Sequence, residues 1–407
     1  MVVIEANDYQ KVTRRALHQA CLTALQEQQP GTTAPNPESM AIATALEHTR
    51  IKHPEQDYVQ AADQCLHGMA SSLNRHSAYI DATEFKLIQQ QAFGTSRAGI
   101  GIEIAAEPHG ARVVGVIKGA PAERAGVEKD ETLTRIDDRD LAGMRPSEIK
   151  RLLFGEPNSL VRITLRSSEL PKPRTITLAR AIIRQESVQT QLIEADSALV
   201  RVTQFDYLAP KRMRDGLAAV ERANGRPLTN IVLDLRDCSG GLLSTSIAIA
   251  ATFLPKNSPI VATQGRVSGD ATKSEPLLKD YVLAGQQDSQ LQIPAARTAR
   301  MVVLVNNKTA AGAELVAAAL QDHKRASIVG TPTFGKGLVE RILPLTGNSA
   351  LKITTMSMHR PNGNALDGLG VSPDVLMPGT QSVSPGQSPL SLPDAGLEEA
   401  LRILQTQ

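Results

Sequence analysis

The sequence predicts a multidomain α/β protein in four parts: an N-terminal helical region (1–94), a small β-rich domain (95–182), an α/β core (183–378), and a linker with a short C-terminal helix (379–407). Three observations carry this prediction. Apolar residues recur at helical spacing before residue 90. They alternate at strand spacing from about residue 97. From 187 to 375 they fall into a repeating strand–helix–strand rhythm.

In the first part, Ala62, Leu66, Met69 and Leu73 follow i, i+4, i+7, i+11 spacing, one apolar stripe of a helix. Residues 28–38 carry three prolines and read as a loop. In the second part, Ile100, Ile102 and Ile104 alternate with Gly101 and Glu103, and Val113–Ile117 forms another strand. Ala120–Gly126 has proline near its start and glycine at its end, the asymmetry of a short helix. A strand over Thr132–Ile136, a helix over Arg145–Leu153, and strands over Val161–Arg166 and Thr175–Leu178 complete the unit.

In the third part, Ile231–Leu235, Met301–Val305 and Ser327–Gly330 read as buried strands. Leu242–Phe253 and Gly312–Asp322 read as the helices that alternate with them. Residues 377–393, rich in Pro, Ser and Gly, form a linker. Leu397, Leu401 and Leu404 then mark a short amphipathic helix capped by Asp394.

Composition excludes several function classes. Forty-four Lys and Arg against 42 Asp and Glu leave a net charge of +2, no basis for a nucleic-acid or membrane-surface partner. No apolar run approaches the ~20 residues of a membrane span. The opening residues Met1–Asn7 lack the basic-then-apolar pattern of an export signal. The three cysteines, Cys21, Cys65 and Cys238, form no CxxC pair, which argues against structural zinc. Cys21 and Cys65 both fall in helical patterns. Two readings stay open for them, a bridge in an oxidising compartment or a pair of buried thiols.

The β-rich unit resembles a PDZ domain, on Gly99-Ile100-Gly101-Ile102, on Gly119–Gly126 and on Asp130–Ile136. The resemblance implies a peptide bound as an added strand, its terminal carboxylate held by the amides of Ile100, Gly101 and Ile102. Taken alone, the same glycines describe a strand-entry turn with no ligand.

Five further stretches, in one order over most of the chain, resemble the carboxyl-terminal processing (tail-specific) serine proteases. They are Leu73–Asp81, Asp234–Leu242, Val305–Glu314, Thr333–Gly337 and Gly368–Asp374. The resemblance implies a crotonase-like, ClpP-like protease core and endoproteolysis by a Ser–Lys dyad, with no metal or cofactor. Lys336 would be the general base, a role that burial favours by disfavouring the ammonium form. Gly240, Gly241 and Gly312 would supply oxyanion donors. The family context adds a periplasmic setting in the bacterial cell envelope, a helical-repeat lipoprotein adaptor, protein or peptide substrates held by their C-terminal tails, and a homo-oligomer.

The chain departs from the family pattern twice. The nucleophile position holds Ala311, and Thr309 is the nearest hydroxyl in sequence. Glu340 stands where the family has glutamine. An ionised Glu340 would hold Lys336 as a cation and oppose its work as a base. The chain is therefore expected to be inactive as it stands. Its serine was replaced deliberately, or it is a natural pseudoprotease or a PDZ scaffold that binds C-termini without cleavage. Gly330–Lys336 also matches most of a phosphate-binding loop, but Gly337 and a strand follow where that loop needs Ser or Thr and a helix.

Overall fold

The computed structural model describes residues 16, 17, 19–21, 23, 58–92, 97–265 (apart from 118, 145, 168–171, 184, 185 and 195), 280–283, 294–377 and 394–406. The loop expected at 28–38 and the linker beyond Met377 lie outside the described residues. Along the chain, α1 (Tyr58–Ser71), β1 (Ala78–Ile80) and α2 (Ala82–Ala92) come first. The β-rich unit follows: β2 (Arg97–Gly99), β3 (Ile102–Glu107), β4 (Gly110–Val116), α3 (Pro121–Arg124), β5 (Thr132–Ile136), β6 (Arg139–Asp140), α4 (Pro146–Leu153), β7 (Leu160–Arg166), β8 (Arg174–Ala179) and β9 (Ala181–Ile183). Then come β10 (Val188–Glu194), β11 (Ser197–Val202), α5 (Ala209–Asn224), β12 (Asn230–Asp234), α6 (Leu243–Phe253), β13 (Pro259–Gly265) and β14 (Asp280–Leu283). The last third holds α7 (Pro294–Thr298), β15 (Arg300–Val305), α8 (Gly312–Asp322), β16 (Ser327–Gly330), β17 (Leu338–Pro344), β18 (Ala350–His359), β19 (Val375–Leu376) and α9 (Ala395–Thr406).

Two compact units share these elements, and neither is continuous in sequence. One gathers residues 1–86, 256–285 and 335–370; the other holds 87–255, 286–334 and 371–407. In the first, the sheet order is β1-β18-β13-β14, with β17 also paired to β18. Its core packs Leu17, Cys21, Cys65, Met69 and Tyr79 against Leu351 and Ile353 of β18. The buried stripe of α1 runs through Ala61, Cys65 and Met69, whereas Ala62 is half-buried. Cysteine here joins the apolar face, and Cys21 and Cys65 are bonded as a disulfide.

The second unit contains both the β-rich domain and the α/β core. The domain's sheet runs β3-β4-β5-β7-β8, closed around Val113, Leu133, Ile136, Ile149 and Ile163. In the core, six strands run β10-β11-β12-β15-β16-β19, parallel from β11 to β19. β11 and β12 are buried at every position, as parallel strands covered on both faces are. Leu397, Ala400, Ile403 and Leu404 of α9 cover Leu199, Val232, Val302 and Val329 on one face. Ligand sites on parallel α/β sheets form at the carboxyl ends of the strands. Here the ends of the adjacent strands β12 and β15 lead into residues 235–242 and 306–311.

Candidate active site

The turn after β15 places Ala311 at φ 52°, ψ −116°, a backbone conformation rarely taken by a residue with a side chain. Such a conformation costs roughly 1–3 kcal/mol and persists only when its surroundings impose it. The surroundings do so here. Glu314 Oε2 accepts the Ala311 amide at 2.8 Å, and the Ala311 carbonyl accepts from Leu315 at 3.0 Å. Ala310 N–H donates to the Cys238 carbonyl at 2.9 Å. Thr309 is fully buried, donating to the Leu235 carbonyl at 2.9 Å and accepting from the Asn306 amide at 3.0 Å. The nearest hydroxyl in sequence is therefore committed to holding the turn.

Glu314 is itself fully buried, and its second carboxylate oxygen takes the Thr333 hydroxyl. Thr333 Oγ1 in turn accepts the Val371 amide at 2.8 Å. One chain of hydrogen bonds thus joins the turn, α8 and the segments before and after the β17–β18 hairpin. This arrangement is half of a capping box, with the N3 glutamate reaching back to the N-cap amide. Ala311 offers no oxygen to return the bond.

The turn after β12 lies directly against this one. A Cβ built on Gly240 would sit 2.8 Å from the Gly312 nitrogen and 3.0 Å from Ala311 Cβ. Gly240 also has φ +93°, so glycine is required there for both space and conformation. The N–H groups of Gly241 and Gly312 have no acceptor among the described residues, and Gly312 begins α8. They are the donors left to meet a developing anion. The Gly240 N–H is directed to the Cys238 thiol instead. Cys238 is fully buried, and burial pushes its thiol up to about 12, so it is no substitute nucleophile.

A buried ion network anchors the same turn from below. Arg236 contacts Asp234 through Nε at 2.9 Å and Nη2 at 2.8 Å, and Asp394 through Nη1 at 2.9 Å and Nη2 at 2.6 Å. Burial works against the guanidinium, but the two carboxylates outweigh it and raise its pKa. Asp394 also caps α9, accepting the amides of Gly396 at 3.0 Å and Leu397 at 3.1 Å.

Lys336 and Glu340 belong to the other unit. Lys336 Nζ lies 3.1 Å from Glu340 Oε1, with Lys336 one-quarter exposed and Glu340 16% exposed. Lys336 precedes β17 and Glu340 lies within it, beside an irregularity where β18 carries one extra residue, Thr355. Oε1 meets no donor with hydrogen-bond geometry, so the contact is an ion pair without a directed bond. His76 Nδ1 approaches the same oxygen at 4.0 Å. Its Nε2 accepts from Arg75 Nε at 3.0 Å, and its backbone is fixed by Asn74 Oδ1, which accepts the amides of His76 and Ser77. Burial lowers the His76 pKa and Lys336 adds to this, while Glu340 opposes it. His76 lies inside the 73–81 motif stretch, whose pattern alone assigns it no role.

In the β-rich domain, Gly101 has φ +80° and passes against Ala120, whose Cβ would lie 2.1 Å from an added methyl. The carbonyls of Ile100 and Gly101 accept from Ala122 and Ile117, but the amides of Ile100 and Gly101 have no acceptor among the described residues. Gly99 pairs with Ala181 in β2–β9, and Ile102 opens the edge strand β3.

Residues 196–377 match the model of peptidase family S41, and residues 112–167 match that of a PDZ domain. The carboxy-terminal-processing protease of Bartonella bacilliformis is 33% identical over 319 residues, 77% of this chain and 69% of that protein. The carboxyl-terminal-processing protease of a Synechocystis species is 30% identical over 314 residues, 74% of this chain and 69% of that protein. The chain spans 63% of the length of a probable CtpA-like serine protease of Staphylococcus haemolyticus, at 26% identity. Among solved structures, the photosystem II D1 C-terminal processing protease shares the fold with a TM-score of 0.54 at 22% identity, over 97% of this chain and 98% of that one.

Proposed function

Because the chain belongs to the carboxy-terminal-processing proteases of peptidase family S41, we propose that it takes hold of polypeptide C-terminal tails but does not cut them in its present sequence. The observation that carries this reading is Ala311, a methyl side chain at the strained head of α8 where the reaction needs a hydroxyl. Loss of the nucleophile lowers turnover about 10⁶-fold in a serine protease of another fold. Glu340 Oε1, 3.1 Å from Lys336 Nζ, supports the same reading, because a general base needs its nitrogen free to take the proton of the nucleophile. The amides of Ile100 and Gly101, without an acceptor among the described residues, support tail binding by the PDZ domain.

Serine restoration tests the catalytic half. Cleavage of an unstructured protein such as casein is measured for Ala311→Ser and for Ala311→Ser/Glu340→Gln. The double variant is expected to cleave, with loss on Lys336→Ala, while the single one stays at least about tenfold slower. Full activity of Ala311→Ser alone would favour a second reading, a competent endopeptidase blocked only at one position. The intact turn and the free amides of Gly241 and Gly312 favour that reading. Anisotropy titration with a labelled peptide, free or amidated at its C-terminus, tests the binding half. Equal affinity for both forms would remove the carboxylate-holding role.

The Cys21–Cys65 disulfide suits an oxidising compartment and so supports the periplasmic setting. The homo-oligomer and the helical-repeat lipoprotein adaptor are part of the proposal on family resemblance alone. Light scattering of the purified chain, with and without such an adaptor, tests both.

A further inference from the structure

The open edge of the PDZ sheet carries a carboxylate that has no partner among the described residues. β3 is the outermost strand of its sheet: β4 pairs with it on one side, and no other strand among the described residues pairs with it. Ile102 and Ile104 pack on the domain core, so Glu103 between them projects from the opposite face. Its neighbour across the ladder on β4 is Gly115, which has no side chain to offer. Glu103 is half-buried, and no hydrogen bond or ion pair reaches its carboxylate among the described residues.

Glu107 shows what the same face does with a partner. It lies four residues along β3, and Arg112 of β4 meets it at 2.9 Å. Around Glu103, Lys150 of α4 and Lys308 act only at longer range, and Asp237 acts against it. Burial is the largest influence and holds the carboxyl above its usual range. A partner supplied from the open edge would relieve that burden.

We propose that this groove selects C-terminal tails whose penultimate residue is Lys or Arg. The inference rests on the tail-binding reading above. A tail whose terminal carboxylate meets the amides of Ile100 and Gly101 runs antiparallel to β3. Its last residue then lies beside Ile102, and its penultimate residue lies beside Glu103. Directly opposed residues on antiparallel strands project from the same face, within reach of one another. A cation there meets Glu103 from the open edge, while on the other side β4 presents only Gly115. An acidic residue would instead add a second carboxylate to a poorly solvated one.

The test uses the full chain and labelled ten-residue peptides identical except for Lys, Gln or Glu at the penultimate position. Kd is measured by fluorescence anisotropy. The Lys peptide is expected to bind roughly fivefold to tenfold tighter than the Gln peptide, and the Glu peptide weaker than both. Glu103→Gln is expected to bring the Lys-to-Glu ratio near one, and Glu103→Lys to invert it. Equal affinities for the three peptides on the unaltered chain would overturn the proposal and leave tail binding standing. Failure of every free-carboxylate peptide to bind better than its amidated form would remove the tail-binding reading, and the proposal with it.

Discussion

Glu314 accepts the Ala311 amide at 2.8 Å, so a fully buried carboxylate fixes the backbone of the residue that caps its own helix. Thr333 fills the other carboxylate oxygen, which makes the threonine hydroxyl part of the turn although it lies 19 residues away. Thr333→Val keeps the shape and removes that donor. It is expected to lower unfolding free energy by about 1–3 kcal/mol, read from urea denaturation. A loss under about 0.5 kcal/mol would mean that Glu314 does not depend on this bond.

The positive φ of Ala311 gives a prediction of opposite sign. Glycine takes that backbone without a Cβ penalty, so Ala311→Gly should stabilise the chain by about 1 kcal/mol despite a more flexible unfolded state. A lowered melting temperature in this variant would show that the methyl contributes packing that exceeds the strain.

Asp394 couples the last helix to the turn before Gly240. Burial alone would raise its carboxyl pKa, but Arg236 and the amides of Leu397 and Gly396 bring it below the ordinary 3.8. A depressed carboxylate contributes stability that is fully present above the unfolded value and is lost as pH falls through the folded one. Asp394→Ala should therefore destabilise by about 3 kcal/mol at pH 7, since Arg236 stays buried with a single partner. The gap to the unaltered chain should close as pH drops below about 4. A gap independent of pH would assign the effect to the helix cap alone.

The Cys21–Cys65 bridge closes 44 residues of chain over the core that backs β18. Reduction, or Cys65→Ser, should lower stability by about 2–4 kcal/mol. Mass spectrometry of alkylated protein checks the pairing first. Three free thiols in a chain prepared without reductant would contradict it.

Much of the fold was legible because local pattern and tertiary demand agree. Gly312–Asp322 shows the same limits in sequence and structure, since the polar turn Asn306–Thr309 separates it from β15 and an apolar face follows. β12 and β16 are short strands centred on the buried apolar runs Ile231–Leu233 and Ile328–Val329. β18 was harder to see. Its burial pattern lacks period two, because β1, β13 and β17 all pair along its length and both faces are covered in places. At the site, the glycines and Lys336 stand out by motif. The Arg236–Asp394 pair does not, because 158 residues separate its members and charge pairs at that range leave no periodic trace. The N3 glutamate of α8 carries no capping-box signature, because Ala311 stands where Ser or Thr would mark the N-cap. His76 had a signal, as a histidine inside a motif stretch, but its approach to Glu340 exists only once β17 is in place.

The threading of the first unit has a consequence for biosynthesis. Ala78 pairs with Lys352, so the strand that closes the N-terminal segment waits for the last quarter of the chain. At ~5–20 residues per second, the wait is on the order of 15–50 s. During that interval the apolar side of α1 and β1 lacks β18 to cover it. The N-terminal segment is thus the part of a nascent chain that most needs a holding chaperone, and a ribosome stalled before residue 350 should expose it to protease.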